Sequence, residues 1–343
     1  MKTLIIGNFG FQSKNIGGQT IKTRNILQLY RQNVGVSNIE YFDVEVLYDN
    51  KIKLFFLIRQ LICCKDLVIV PGQALLKSPI FSIILFFGKF FSNRISLFAV
   101  GGWLSEFLSL HPSVTKKIKK IDVVFVESDF LKLSLAEKNG LTSVSKFPNF
   151  RIHNFQKSEE RNDSSFRIVF MARITPDKGC DLLFDVMDYF NSRIELSSDI
   201  ILDFYGPIDK EYEKKFFAKE ASLHNVNYKG IVPPDDVFKV LSAYDICILP
   251  TRYEGEGFPG TIIDSYIAGI PVIVSNWKNL PEFVESYVSG FVFELDDFQS
   301  LLDYILLCIE DKKLLENLKI GAHKKSLEYS AEKAWQIVEK WSN

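Results

Sequence analysis

The chain has 343 residues, with 41 Lys or Arg against 42 Asp or Glu; it is long enough for two domains with separate cores and too evenly charged to hold nucleic acid by bulk electrostatics. The apolar run Leu4–Ile6 stops at Gly7, too short for a signal peptide, so a cytoplasmic protein is expected. Five cysteines (63, 64, 180, 247 and 308) lack zinc-site spacing and the histidines at 111, 153, 224 and 323 are scattered, so no metal is expected. The thiols are expected to be free and buried, with Cys63 and Cys64 filling a core.

Short apolar runs alternate with helix-length segments up to about residue 145. Leu4–Ile6, Ile39–Phe42, Leu67–Val70, Ile95–Val100 and Val123–Val126 have the length and β-branched content of strands, which predicts a doubly wound parallel sheet over residues 1–150. From Asn149 to Ser165 the sequence turns polar, marking 151–165 as a linker. A second series, Arg167–Phe170, Ile200–Phe204, Ile246–Leu249 and Pro271–Val274, makes 166–325 a second Rossmann-like domain, and 326–343 reads as a terminal helix.

Gly17 and Gly18 end the loop after the first strand and open an amphipathic helix; such a pair is either a plain turn or a place where a phosphate reaches helix N–H groups. Ile80–Phe91 is very apolar but too short and interrupted to span a bilayer, so a buried helix is expected. Gly101-Gly102-Trp103 follows the fourth strand, and Trp103 suits either stacking on a sugar or packing at a helix start. Lys116, Lys117, Lys119 and Lys120 form a cluster that is either a solvated helix face or an attractor of anionic lipid. With the Phe-rich segment it motivates the expectation of a peripheral contact at the inner face of a membrane.

Arg173 follows the first strand of the second series, and Lys178 lies near the first turn of the next helix, so both cations can point to one place. Tyr244–Pro250 then reads as a buried strand, followed by Glu254-Gly-Glu-Gly-Phe-Pro-Gly260 and an apolar-periodic segment ending at Gly269-Ile270-Pro271. Ligands bind where a loop leaves the carboxyl end of such a strand, and the N–H groups of the following helix favour an anion. Pro259 suits the first turn, with Glu256 in the loop and Asp264 about a turn and a half into the helix. Each charge alone reads as an ordinary solvent-facing group. Together, backbone N–H groups for phosphate and two carboxylates for hydroxyls suit a nucleotide sugar.

Glu256-Gly-Phe-Pro-Gly-Thr-Ile-Ile-Asp264, with Ala268-Gly269-Ile270-Pro271-Val272-Ile273 behind it, resembles the Glu-x7-Glu signature of retaining GT-B glycosyltransferases of the family-four, group 1 type. Arg173-x4-Lys178-Gly179 is similar to that family's diphosphate-contacting pair. The resemblance implies an α/β GT-B fold, two Rossmann-like domains facing across a cleft, with the terminal helix 326–343 returning to the first domain. It implies transfer of a sugar, with retention, from a nucleotide-diphosphate donor to a glycan or lipid-linked acceptor in bacterial surface polysaccharide synthesis. In that scheme Arg173 and Lys178 meet the diphosphate, Glu256 the donor sugar, and Asp264 the ribose. Gly257, Phe258, Pro259, Gly260 and Thr261 form the donor-binding turn, and Gly17 and Gly18 face the diphosphate from the other domain.

Two departures stand out. The second acid is Asp264 where the family usually has Glu, and the histidine that related enzymes often place near Gly101-Gly102 is missing. With no Asp-x-Asp motif, neither metal nor cofactor is expected; the nucleotide sugar is a substrate and the two cations offset its charge. Two other readings stay open: a non-catalytic GT-B subunit that holds nucleotide or glycan, and a GT-B sugar-nucleotide epimerase. Selectivity for the base is expected from backbone near Lys229-Gly230-Ile231.

Overall fold

The computed structural model describes residues 2–13, 17–49, 52–156, 165–193 and 199–342. The chain divides into two compact units, Met1–Ile152 with Ser330–Asn343, and His153–Tyr329. Most of the expected linker, 157–164, and Ile16 before the glycine pair lie outside the described residues.

The first unit is built on a parallel sheet of β1 (Thr3–Gly7), β2 (Ile39–Asp43), β3 (Asp66–Val70), β4 (Arg94–Phe98), β5 (Val123–Val126) and β6 (Val144–Lys146), in the order β2-β1-β3-β4-β5-β6. Successive side chains alternate between two cores, Leu4 and Ile6 going to one and Ile5 to the other, so β1 is buried along its whole length and apolar at its centre. On one face lie the helices Gly18–Val34 and Ala331–Ser342. The terminal helix is held by Trp335, edge-on to Tyr30 at 5.4 Å, and by Trp341 against Phe125 at 5.8 Å.

On the other face the helices Lys53–Cys63, Pro79–Phe91, Leu104–Leu110 and Asp129–Asn139 share a second core. The helix Pro79–Phe91 departs from the expectation of burial. Its stripe of Phe81, Ile84, Leu85 and Gly88 fills the seat, and Gly88 lets it approach so closely that an added Cβ would sit 2.8 Å from Leu67. Phe87 packs half-buried against the same core, while Phe86, Phe90 and Phe91 are exposed. Cys63 corrects another expectation: it is exposed while its neighbour Cys64 is buried, because the two leave the end of one helix in different directions.

The second unit holds β7 (Phe166–Met171), β8 (Ile200–Tyr205), β9 (Val226–Gly230), β10 (Ile246–Leu249), β11 (Val272–Ser275) and β12 (Gly290–Phe293), all parallel, in the order β12-β11-β10-β7-β8-β9. The order reverses between β10 and β7, and a crevice opens at the carboxyl ends of strands at such a switch point. The helices that follow these two strands, Gly260–Ala268 and Cys180–Asn191, therefore start at the same place. Among the described residues no helix is long and apolar enough to cross a membrane.

Candidate active site

The loop from Thr251 to Pro259 leaves β10 and is fixed from three sides. Thr251, buried at the strand end, accepts the Tyr253 N–H at 3.1 Å and donates to Glu256 Oε2 at 2.8 Å, which turns the chain back on itself. From β11, Ser275 Oγ donates to the Thr251 carbonyl at 2.5 Å. The segment after β11 adds Trp277 Nε1 to the Tyr253 carbonyl at 3.0 Å and Asn279 Nδ2 to the Gly257 carbonyl at 2.9 Å. Phe258 is pinned by its ring, buried and stacked on Phe283 at 3.7 Å, which leaves only its backbone for a ligand.

From the β7 side comes the loop bearing Arg173 and Lys178. The Asp177 carbonyl accepts the Arg252 N–H at 2.8 Å, and Lys178 closes a 3-10 turn, Pro176–Lys178. Gly179 follows at φ +78°, against the end of β10: a Cβ there would lie 2.0 Å from the Pro250 oxygen. This contact presses the two loops together. Lys178 Nζ reaches Glu256 Oε2 at 2.5 Å and sits 4.8 Å from the centre of the Tyr253 ring.

Lys178 and Glu256 are thus both largely buried, with side chains 16% and 8% exposed. Oε2 of Glu256 takes both Thr251 and Lys178, while Oε1 takes no partner among the described residues and stays available to a ligand hydroxyl. Arg173 is exposed, two residues beyond β7, and makes no side-chain hydrogen bond or ion pair among the described residues.

The helix after the loop begins at Gly260, one residue later than the sequence suggests. Pro259 is its N-cap, and Asp264 is half-buried about one turn in rather than a turn and a half. Thr261 Oγ1 donates to the Met171 carbonyl at 2.6 Å and ties this helix start to the end of β7. First-turn N–H groups, Lys178 and Arg173 are brought to one strand-end region, an arrangement that favours a phosphate. The nearby thiols are unsuited to nucleophilic work, since burial pushes Cys247 up to about 12 and Cys180 upward as well. A groove of about 690 Å³ lies elsewhere on this unit, lined by Tyr205, Lys229, Ile231 and Tyr244 and by neither Lys178 nor Glu256.

In the first unit Gly17 caps the helix Gly18–Val34, its N–H donating to Thr20 Oγ1 at 2.9 Å, and Gly18 has open space where a side chain would stand. Trp103 precedes the helix Leu104–Leu110 and packs edge-on to Phe107 at 5.3 Å, the packing alternative of its two readings. Sequence reasoning missed an ion pair here. Lys22 Nζ donates to Glu127 Oε1 at 2.7 Å with both side chains at most 3% exposed, and Glu127 Oε2 accepts the Gly101 N–H at 3.1 Å. Burial lowers the Lys22 pKa, opposed by Glu127. Thr251 and Asn279 were missed as well, for they belong to no motif.

The two doubly wound units define a GT-B protein. Over its full length the chain is similar to the Anabaena protein Alr3699/HepE, solved in complex with UDP (TM-score 0.80, 16% identity, 100% of both chains), and to the Thermosynechococcus elongatus sucrose-phosphate synthase (TM-score 0.75, 14% identity, 99% of this chain and 98% of that one).

The chain belongs to the glycosyl transferases group 1 family, whose model matches residues 151–325. Among curated relatives, the capsular polysaccharide biosynthesis glycosyltransferase CapM of Staphylococcus aureus is 22% identical over 263 residues, 75% of this chain and 65% of CapM. The amylovoran biosynthesis glycosyltransferase AmsK of Erwinia amylovora is 28% identical over 145 residues, 41% of this chain and 35% of AmsK. The chain thus spans less than two thirds of the length of either relative.

Proposed function

We propose that the protein is a retaining glycosyltransferase that moves a sugar from a nucleotide-diphosphate donor to a glycan or lipid-linked acceptor in surface polysaccharide synthesis, at the cytoplasmic face of a membrane. The observation that carries this reading is the Lys178–Glu256–Thr251 cluster beside the start of the helix Gly260–Ala268, at the switch point of the second sheet. Membership of the group 1 family and the likeness to CapM and AmsK support it.

In the proposed reaction the helix start, Lys178 and Arg173 bind the diphosphate and oppose the charge that builds on it as its bond to the anomeric carbon breaks. Glu256 offers its free Oε1 to the sugar and offsets positive charge at that carbon. The acceptor oxygen bonds to the anomeric carbon on the face the phosphate leaves, and its proton passes to the departing phosphate. Asp264 holds the ribose, and the helix start at Gly17 and Gly18 is suited by its own N–H groups to a phosphate. The cations do this work without a metal or cofactor.

Thermal unfolding against UDP-, GDP- and ADP-sugars tests the donor class, since a ligand at 100 times its Kd adds about 2.7 kcal/mol of stability. No rise with any of them would sink the reading. Labelled donor with and without glycan acceptors then separates transfer from isomerisation and from binding alone.

A further inference from the structure

The helices Lys53–Cys63 and Pro79–Phe91 lie side by side on the same face of the first sheet, because Leu57, Leu61, Ile84 and Leu85 enter one core. Residues half a turn away from that stripe must point outward together. There stand Phe55 at 68%, Phe56 at 54%, Ile62 at 45%, Phe86 at 59% and Phe90 at 71% exposure, with Phe91 at their edge. The rings of Phe86 and Phe90 touch at 5.0 Å and those of Phe55 and Phe56 at 6.1 Å, so water meets clustered aromatic surface rather than isolated side chains. Two aromatic clusters on adjacent helices mark an interaction surface.

Charge says what covers it. Residues 50–105 contain seven Lys or Arg and a single carboxylate, Asp66, in a chain whose net charge is −1. Asp66 is already paired with Arg94 at 3.0 Å. Neither patch-bearing helix has an acidic residue; they carry Lys53, Arg59 and Lys89, of which Lys89 is paired with Asp122 at 2.9 Å, with Lys65 just beyond the first. An apolar face fringed by cations complements a surface of acyl chains under anionic headgroups. Helices of 11 and 13 residues with one face seated on a sheet lie in such a surface and do not cross it.

We propose that this face rests on an anionic bilayer, with Phe55, Phe86 and Phe90 entering the headgroup boundary and Lys53, Arg59 and Lys65 meeting lipid phosphates. The inference deepens the membrane-face reading above, keeping its Phe-rich segment and replacing the Lys116–Lys120 cluster with the neighbouring helix Lys53–Cys63. It rests on that reading for its biological sense, but its test uses no sugar nucleotide, so the two can fail separately.

The test is co-sedimentation of the full chain with vesicles of equal parts phosphatidylglycerol and phosphatidylcholine, and with phosphatidylcholine alone. Wild type is expected to bind the anionic vesicles, with F55Q/F86Q/F90Q partitioning about tenfold more weakly or worse. K53Q/R59Q should lose affinity for the anionic vesicles and much of its salt dependence. The thermal midpoint should hold in both variants, since Phe55, Arg59, Phe86 and Phe90 are exposed and Lys53 is only half-buried.

Wild type that ignores anionic vesicles, or an aromatic variant that binds like wild type, overturns the proposal. So does loss of binding in K116Q/K117Q/K119Q/K120Q alone. A wild type that self-associates without lipid, with the aromatic variant monomeric, would assign the face to a second copy of the chain and overturn it too.

Discussion

Lys178 Nζ and Glu256 Oε2 stand 2.5 Å apart, so the cation proposed for the diphosphate and the carboxylate proposed for the sugar hold each other, whereas Arg173 is exposed. The two cations are therefore not equivalent. Lys178→Ala strips a buried carboxylate of its partner and is expected to lower both transfer and the unfolding midpoint. Arg173→Ala should leave stability within about 0.5 kcal/mol. Each should cost about 2–4 kcal/mol in kcat/KM if the leaving group is electrostatically assisted. Near-normal turnover in both variants would remove the proposed role.

The contact between Gly179 and Pro250 gives a prediction that concerns loop position rather than charge. At φ +78°, with a Cβ due 2.0 Å from a backbone oxygen, Gly179→Ala is both strained and blocked. The β7 and β10 loops must part, so a loss of about 2 kcal/mol or more in urea unfolding is expected, with a fall in transfer. An alanine variant as stable as wild type would show that the loops are not pressed together as described.

Lys22 and Glu127 form a buried pair that also holds the Gly101 N–H. Lys22→Met takes the ammonium away from Glu127 Oε1 in a buried setting and is expected to cost about 3 kcal/mol. Adding Glu127→Gln keeps an acceptor for Gly101 and removes the carboxylate charge, so the double variant should regain part of the loss in urea unfolding. Equal stability of the single and double variants would mean the charge is not the cause.

What the sequence made legible follows from burial. Interior strands such as β1, β5 and β10 are covered on both faces and read as plain apolar runs. The strands that escaped notice, β6, β9 and β12, each lie at an edge of their sheet. Edge strands are short or part-polar: β6 is Val-Ser-Lys, β9 has only Val226 fully buried, and β12 is four residues opened by Gly290. At the site, Glu256 and Lys178 were visible through glycine-rich spacing. Thr251 and Asn279 act by hydrogen bonds set by the fold, which leave no spacing to read. Lys22 and Glu127 are 105 residues apart and meet only because the start of the helix Gly18–Val34 and the end of β5 lie at the same, carboxyl end of one parallel sheet. The outward phenylalanines of Pro79–Phe91 were hidden by the composition of that helix, apolar at all but Ser82 and Lys89 although one stripe alone is buried.

If Lys178 and Arg173 offset the diphosphate charge, chelation should leave transfer at its original rate. Loss of activity with EDTA and full recovery on adding a divalent ion would place that charge compensation on a metal instead.

Glu256 and Asp264 are predicted to fail in different ways, because one lies in the loop with a free oxygen and the other one turn into the helix. Glu256→Gln keeps the shape but loses the negative charge that offsets developing positive charge at the anomeric carbon. It should lower kcat more than it raises KM. Asp264 would bind the ribose equally in ground and transition states, so Asp264→Asn should chiefly raise the donor KM. Asp264→Glu restores the residue usual in the resembling family, and it should be tolerated if the pocket has room for one more methylene. Steady-state kinetics on the three variants decide: an unchanged kcat in Glu256→Gln, or a loss confined to kcat in Asp264→Asn, would mean that the two carboxylates have been given each other's work.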